Sequence, residues 1–197
     1  SLGWLGLNVD EGPIRQSNRS SLYKKQVDKL LKQENAYYAF DSQEDLDSAR
    51  EAGGKDFKYN VKTRMGLNNS FTVSEEERKK RIEEGRYVIR LAIPENKKIS
   101  VNDEIRGELS FDSNELEDKV ILKSDGMPTY HLANVVDDNN MKITSVVRGE
   151  EWLSSLPVHY LIYEFFGWKP PKFYHLPLIL KTSGAGKLSK RDADEQG

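Results

Sequence analysis

Residues 128–152 read PTYHLANVVDDNNMKITSVVRGEEW, an apolar run interrupted by a few polar side chains. Tyr130 and Asn134 are four residues apart, so a helix here would place both on one face, within reach of one small ligand. A strand predicted at 143–147 ends directly before Arg148. Open parallel sheets bind ligands at that end of a strand, so we expect these side chains to form a binding site.

The arginine indicates what such a site would bind. Its planar fork matches a carboxylate or a phosphate with two parallel hydrogen bonds, which a lysine cannot reproduce. The alternative is purely structural. In that case Tyr130 packs in the core and Asn134 caps a helix, while Arg148 pairs with Glu150 or Glu151 on the surface.

Composition limits the function classes. The 197 residues are 37% hydrophobic, which is enough to bury a core in one large or two small domains. Thirty basic and 32 acidic residues give a net charge of −2, so any contact with nucleic acid must use a local patch. The absence of cysteine excludes thiol catalysis and thiolate zinc ligation. His131, His159 and His175 lie too far apart for a standard metal motif, so packing or capping is expected for each.

No apolar run reaches the length of a membrane span and no secretory leader is visible, which predicts no membrane contact and a cytoplasmic location. The chain starts at Ser1 with SLGWLGL, which resembles the end of an amphipathic helix, and it stops in a charged tail. These features predict a piece of a longer protein.

Residues 36–128 predict an α+β unit, which follows a helix. Apolar spacing gives a helix over about 20–35, and AYYAF at 36–40 gives a strand. Capping residues begin further short helices after Ser42 and Ser74. Period-two alternation predicts one small antiparallel sheet built from four strands, at 87–93, 99–101, 104–111 and 120–124.

The last third has a different pattern. A strand at 143–147, a helix after Pro157 and a strand at 173–180 predict a strand-helix-strand unit with a parallel sheet. We therefore expect an α/β fold in two pieces, 1–35 and 129–197, interrupted by an inserted domain at 36–128.

The loop KTSGAGKLSKR at 181–191 carries four positive charges: Lys181, Lys187, Lys190 and Arg191. A flexible basic loop after a sheet strand can hold a polyphosphate and neutralise the charge that grows as a phosphoanhydride breaks. The glycine spacing matches neither a Walker loop nor a dinucleotide fingerprint. A solvated loop without function is the alternative.

An ordered series of segments covers nearly the whole chain: WLGLNVDEGP, IRQSNR, YKKQVDKLL, AYYAF, VIRLAIP, DEIRGELSFD, KSDGMPTYHLANVVDD, VVRGEEWLSS, LIYEFFGW, FYHLPLIL and KLSKR. With these segments the sequence resembles the class I aminoacyl-tRNA synthetases, whose second signature is a lysine-x-serine-lysine loop, and within them the glutamyl-tRNA synthetases. The resemblance implies part of a Rossmann-like, ATP-dependent catalytic domain, with 36–128 as an inserted α+β domain that binds the tRNA acceptor end.

The resemblance also implies roles for individual residues. The glutamate pocket would be lined by Tyr130, Asn134, Arg148 and Trp152. The ATP side would comprise Glu151, Leu178, Ile179, Lys187, Leu188, Ser189, Lys190 and Arg191. Of these, Lys190 would act on the ATP phosphates, and Lys187 and Ser189 would position its loop. The implied activity is glutamate–tRNA ligase, with L-glutamate, tRNA(Glu) and ATP–Mg2+ as substrates and a monomeric full-length enzyme.

Some features depart from the family pattern. The first ATP signature, of the His-x-Gly-His type, has no match in these residues, and neither does the anticodon-binding region. We therefore expect this chain alone to be inactive. Ala39 and Asp41 stand where some relatives have zinc-binding cysteines, so no zinc is expected. Two alternatives stay open: a glutamyl-queuosine tRNA(Asp) synthetase, which is a shorter paralogue, and a non-catalytic RNA-binding module.

Overall fold

The computed structural model describes residues 2–8, 10, 12, 14–181 and 186–187. The α-helices in this part of the chain are α1 (Ser20–Lys32), α2 (Gln43–Gly53), α3 (Glu75–Glu83), α4 (Tyr130–Asn140) and α5 (Leu156–Phe166). The β-strands are β1 (Ala36–Ala39), β2 (Val88–Leu91), β3 (Lys98–Asp103), β4 (Gly107–Asp112), β5 (Val120–Leu122), β6 (Ser145–Gly149) and β7 (Lys172–Leu176).

The helices follow their local signals, and the predicted helices are confirmed. The buried face of α1 carries Tyr23, Val27 and Leu30 at helical spacing. A reciprocal capping box begins α2, where the Ser42 hydroxyl accepts from the Asp45 amide and the Asp45 carboxylate accepts from the Ser42 amide.

The strands form two sheets, so the prediction of one antiparallel sheet from four strands is wrong. In the first sheet, β2 lies between β1 and β5, antiparallel to both. The second sheet has the order β4-β3-β7-β6. In that sheet β4 is antiparallel to β3, whereas β3 and β6 each run parallel to β7. The parallel pairing predicted for the last third of the chain is confirmed.

Burial explains why β3 and β4 form a sheet separate from β2 and β5. Its side chains alternate between exposed and buried, and Ile99, Val101 and Asp103 point inward. Helix α5 packs on this strand, and Asp103 is paired with Phe173 of β7. The second sheet therefore combines strands from 36–128 and from 129–197. The division of the chain at 35/36 and 128/129 stays a prediction.

Two strand boundaries differ from the prediction. Strand β7 ends at Leu176 instead of 180, because Pro177 has no N–H for the ladder. Strand β6 begins at Ser145 instead of 143, because the Ile143 amide still donates to the Asp138 carbonyl of α4. Strand β6 also continues to Gly149, so Arg148 lies within the strand, paired with His175 of β7, and not beyond its end.

A continuous core connects the two sheets. Helix α1 packs on β1 and α4, and α4 packs on β5 and α5. The buried apolar side chains of this core include Tyr23, Leu91, Ile121, Leu132, Leu161 and Phe173. At the start of the chain, the predicted helix end is a 3-10 helix, Leu2–Leu5, in which Trp4 is 86% exposed. None of the helices in the described ranges is both long and apolar enough to cross a membrane.

Candidate active site

Helix α4 and the end of β6 bring three of the predicted glutamate-binding residues together. Tyr130 is the first residue of α4, and its hydroxyl accepts a hydrogen bond of 3.0 Å from Nη1 of Arg148. Trp152 lies in a 3-10 helix, Glu150–Ser155, that directly follows β6. The Tyr130 and Trp152 rings lie 4.6 Å apart between centroids, and each is more than a third exposed. The rings therefore form an open wall beside the guanidinium.

Asn134 lies one helical turn after Tyr130, as the spacing predicts. Its Oδ1 atom is buried and has no hydrogen-bond partner among the described residues. A buried, unpaired amide oxygen is costly, so a ligand with a donor would stabilise it. The alternative in which Asn134 caps a helix is wrong, because Asn134 lies inside α4.

Arg148 is held by neutral groups only. Its Nε donates to Nε2 of His175 at 2.9 Å, and its Nη1 lies 3.4 Å from Nδ1 of His159 as well as beside Tyr130. Its Nη2 is buried, and nothing in the described part of the chain accepts a hydrogen bond from it. The guanidinium therefore has no ion-pair partner among the described residues, Asp138 acts on its charge only through space, and its Nη2 donor is free.

The structural alternative for Arg148 is wrong. Glu150 pairs with Arg106 and also accepts the Leu178 amide at 3.2 Å. Glu151 pairs with Lys187. Neither carboxylate is paired with Arg148, because the chain turns away after Gly149 into the 3-10 helix.

Sequence reasoning missed three groups behind the arginine. His159 on α5, His175 on β7 and Asp103 on β3 are fully buried. The Nδ1 atom of His175 lies 2.6 Å from Oδ2 of Asp103, and Nε2 of His159 lies 3.3 Å from Nδ1 of His131. A signal did exist, since parallel pairing of β6 and β7 in register places His175 opposite Arg148.

The pKa values of these groups follow from burial and charge. Burial lowers the pKa of His159 well below its ordinary value, and the neighbouring Arg148 charge acts in the same direction. Burial, helped by Lys119 and Arg148, lowers the pKa of His131 to about 4. Burial alone would raise the pKa of Asp103, but hydrogen bonds from His175 and from the backbone hold it below its ordinary value. At neutral pH, His131 and His159 are neutral and Asp103 is charged.

The predicted ATP side is described in part. Leu178 is half-buried and Ile179 is 74% exposed, beyond the end of β7. Lys187 bridges to Leu180 and pairs with Glu151, so the start of the basic loop lies next to the 3-10 helix that carries Trp152. Leu188, Ser189, Lys190 and Arg191 lie outside the described residues. Their predicted roles stay predictions.

The described ranges contain no group of three or more His, Asp or Glu side chains arranged to hold a metal ion. The expected absence of zinc stays a prediction.

A half-buried arginine near the carboxyl end of a parallel strand, beside aromatic rings and an unpaired amide oxygen, is typical of an α/β protein that binds a small anionic ligand. Comparison with known proteins identifies the family within this class. Residues 1–196 match the family model described as tRNA synthetases class I (E and Q), catalytic domain. The chain belongs to this family, and the resemblance based on the ordered segments is confirmed.

Individual relatives agree with the family match. A glutamate–tRNA ligase of Azobacteroides pseudotrichonymphae is 56% identical over 198 residues, which are 98% of this chain and 40% of that protein. A glutamate–tRNA ligase of Christiangramia forsetii is 50% identical over 209 residues, which are 100% of this chain and 41% of that protein. The chain thus spans about two fifths of the length of these curated relatives.

Solved structures give the same result for the fold. A crystal structure of a glutamate tRNA ligase from Elizabethkingia meningosepticum in complex with its amino acid superposes with a TM-score of 0.91 at 50% identity. The superposition covers 100% of this chain and 41% of that one. A glutamate-tRNA synthetase from Elizabethkingia anophelis gives a TM-score of 0.92 at 50% identity over 100% of this chain and 42% of that one. The predicted α/β catalytic domain of a class I synthetase is confirmed.

Proposed function

We propose that the protein containing this chain activates L-glutamate with ATP and transfers it to tRNA(Glu). The observation that carries the proposal is the guanidinium of Arg148, which has no ion-pair partner in the described ranges and whose buried Nη2 has no protein acceptor there. The names of the relatives support glutamate as the amino acid. The aromatic wall of Tyr130 and Trp152 fits the aliphatic stem of such a substrate.

In this proposal Arg148 binds the side-chain carboxylate of glutamate and Asn134 accepts a donor of the same substrate. Glutamine is rejected because its neutral amide leaves the guanidinium charge unpaired, and such a loss costs about 2–5 kcal/mol. The glutamate α-carboxylate attacks the α-phosphorus of ATP, pyrophosphate leaves, and glutamyl-adenylate forms. A terminal ribose hydroxyl of tRNA then attacks the acyl carbon and AMP leaves. The residues position and stabilise, so no protein nucleophile is required.

The roles proposed on the nucleotide side come from the resemblance. Leu178 and Ile179 lie along the adenine, and Glu151 holds Lys187 before the nucleotide arrives. The basic loop of Lys187, Leu188, Ser189, Lys190 and Arg191 binds the phosphates, with Lys190 acting in the transition state. Mg2+ arrives with ATP and neutralises phosphate charge. We further propose a cytoplasmic monomer, and inactivity of residues 1–197 alone because the first ATP signature is missing.

Pyrophosphate exchange by the full-length protein tests the proposed function. We expect exchange that depends on glutamate, with glutamine as a poor substitute, when tRNA(Glu) is present. Activation of glutamate followed by transfer only to queuosine-containing tRNA(Asp) would identify the shorter paralogue instead. No glutamate-dependent exchange, with or without tRNA, would refute the enzyme and leave an RNA-binding module.

We propose that residues 36–128 bind the acceptor end of the tRNA through an aromatic platform, defined as Tyr38, Phe40 and Tyr87. The Tyr38 and Phe40 rings are parallel to within 3°, and Tyr87 meets Tyr38 edge-on at 5.0 Å. The Arg81 guanidinium lies 5.5 Å from the Phe40 ring centroid. All three rings are partly exposed, and stacked rings beside a guanidinium suit single-stranded nucleotides.

Phe40→Ala tests the platform. Loss of one stacking ring costs about 1–3 kcal/mol per base, so we expect the KM for tRNA to rise roughly tenfold in aminoacylation. The KM for glutamate at saturating tRNA should not change. Phe71→Ala is the matched control, because this exposed ring packs on Tyr37 at 4.8 Å and not on the platform. Equal tRNA KM values for the two variants would refute the platform.

A further inference from the structure

Two buried side chains, Asp103 and His175, connect the turn between β3 and β4 to Arg148. Asp103 is the last residue of β3, and its side chain and that of His175 are 0% exposed. His175 in turn accepts from Nε of Arg148 at 2.9 Å. The substrate-facing guanidinium is thus connected to the tip of a hairpin that lies more than 40 residues earlier in the chain.

Hydrogen-bond chemistry assigns every proton along this path. Arginine only donates, so Nε2 of His175 must accept and its ring proton must lie on Nδ1. That Nδ1–H donates to Oδ2 of Asp103 over 2.6 Å. The other carboxylate oxygen, Oδ1, accepts the backbone amides of Ile105 at 3.1 Å and Arg106 at 3.0 Å. Asp103 therefore receives donors on both oxygens and holds one tautomer of His175.

The other side of the guanidinium follows the same rule. The Nη1 group of Arg148 can only donate, so Nδ1 of His159 accepts and its proton lies on Nε2, which donates to Nδ1 of His131. Arg148 thus has neutral acceptors at Nε and Nη1, and among its donor nitrogens only Nη2 has no protein acceptor in the described residues. Rotation of the guanidinium would break contacts on both sides.

We propose that Asp103 and His175 are a positioning pair, which fixes the orientation of Arg148 and thereby the preference of the site for glutamate over glutamine. This inference rests on the proposed function. An acid that holds a histidine in one tautomer acts in the same way in the serine-protease triad, where replacing it by the amide gives the wrong tautomer.

Asp103→Asn is the decisive substitution because it keeps the shape of the side chain. The backbone amides of Ile105 and Arg106 require an oxygen at the Oδ1 position, so the new NH2 group must face Nδ1 of His175. The ring proton then moves to Nε2, where it points at the Nε–H of Arg148. In the full-length protein we expect the KM for glutamate to rise about tenfold or more, with the KM for ATP within about twofold. The discrimination against glutamine should fall in parallel.

Asp112→Asn is the matched control. Asp112 also ends a strand of this hairpin and accepts a backbone amide, from Asn114 at 2.8 Å, but it contacts no histidine. Both glutamate KM and glutamine discrimination should stay at the unsubstituted values. A folded Asp103→Asn protein that behaves like this control would overturn the positioning role.

The ring-nitrogen 15N shifts of His175 in the unsubstituted full-length protein give a second, independent test. We expect the tautomer with the proton on Nδ1, and a change to Nε2 in Asp103→Asn. A proton on Nε2 in the unsubstituted protein would overturn the inference even where Asp103→Asn does not fold. Absence of glutamate-dependent exchange with the expected tautomer present would instead refute the proposed function and leave the hydrogen-bond assignment intact.

Discussion

Arg148→Ala in the full-length protein should lower glutamate-dependent pyrophosphate exchange by roughly 10²- to 5 × 10³-fold and leave ATP affinity nearly unchanged. Breaking a buried charge pair costs about 3–5 kcal/mol, and here the partner left without compensation is the substrate carboxylate. The structure supplies no replacement, because the nearby partners of Arg148 are the neutral His159, His175 and Tyr130. The measurement is kcat/KM for glutamate and for glutamine, with the ATP KM determined in parallel.

The glutamate-to-glutamine ratio should fall in the same variant, since the charge that rejects the amide is gone. Arg50→Ala is the control, because Arg50 is an exposed arginine on α2 that pairs with Asp47. Its kinetics should match those of the unsubstituted protein. Equal glutamate activation in Arg148→Ala would remove Arg148 from the amino-acid site.

Asp118→Ala should lower the local stability of the first sheet, which contains β1, β2 and β5. Asp118 is fully buried and accepts the Tyr37 hydroxyl at 2.7 Å and the Ile93 amide at 3.1 Å, while Nε of Arg64 lies 3.1 Å away. Burial raises its pKa to about 6 in spite of Arg64, so the carboxylate is ionised at pH 7.5. Removing it leaves the buried guanidinium unpaired, which should lower the local opening free energy by about 3–5 kcal/mol.

Hydrogen exchange of the full-length protein measures this loss. At pH 7.5 the amides of β1 and β2 should exchange roughly 10²- to 5 × 10³-fold faster in Asp118→Ala. Asp125→Ala is the control, because Asp125 also accepts a backbone amide and pairs with a lysine, but on the surface. In Asp125→Ala the amides of β1 and β2 should exchange at the rate of the unsubstituted protein. Unaltered protection of β1 and β2 in Asp118→Ala would show that the buried pair does not hold the sheet.

Local signals were sufficient for the helices. The apolar spacing of α1, the capping residues Ser42 and Ser74 and Pro157 at the start of α5 are local signals, and each helix forms where they predict. Sheet partners were not predictable in the same way. The alternation of exposed and buried residues along β3 fits either sheet. Its place in the second sheet depends on contacts with α5 and β7, which lie 50 residues or more away in the chain.

The site residues also fall into two groups, those that local sequence predicts and those that depend on tertiary contacts. Tyr130, Asn134 and Arg148 were predicted together because they lie within one short stretch, and the resemblance added Trp152. The structure brings Tyr130, Arg148 and Trp152 together. Asp103 and His175 were not predicted to meet, since their contact requires the β3–β7 pairing that the sequence pattern assigned elsewhere. The histidines were expected to be packed or capping residues. They are packed, but around a charge, and this depends on tertiary structure.

The central claim is that the free Nη2 of Arg148 is the receptor for the side-chain carboxylate of glutamate. A crystal structure of the full-length protein with bound L-glutamate tests it most directly. We predict an Nη2-to-carboxylate distance of about 2.7–2.9 Å, with the bonds from Arg148 to His175 and Tyr130 retained. A glutamate side chain bound elsewhere, with Nη2 still unpaired, would contradict the account.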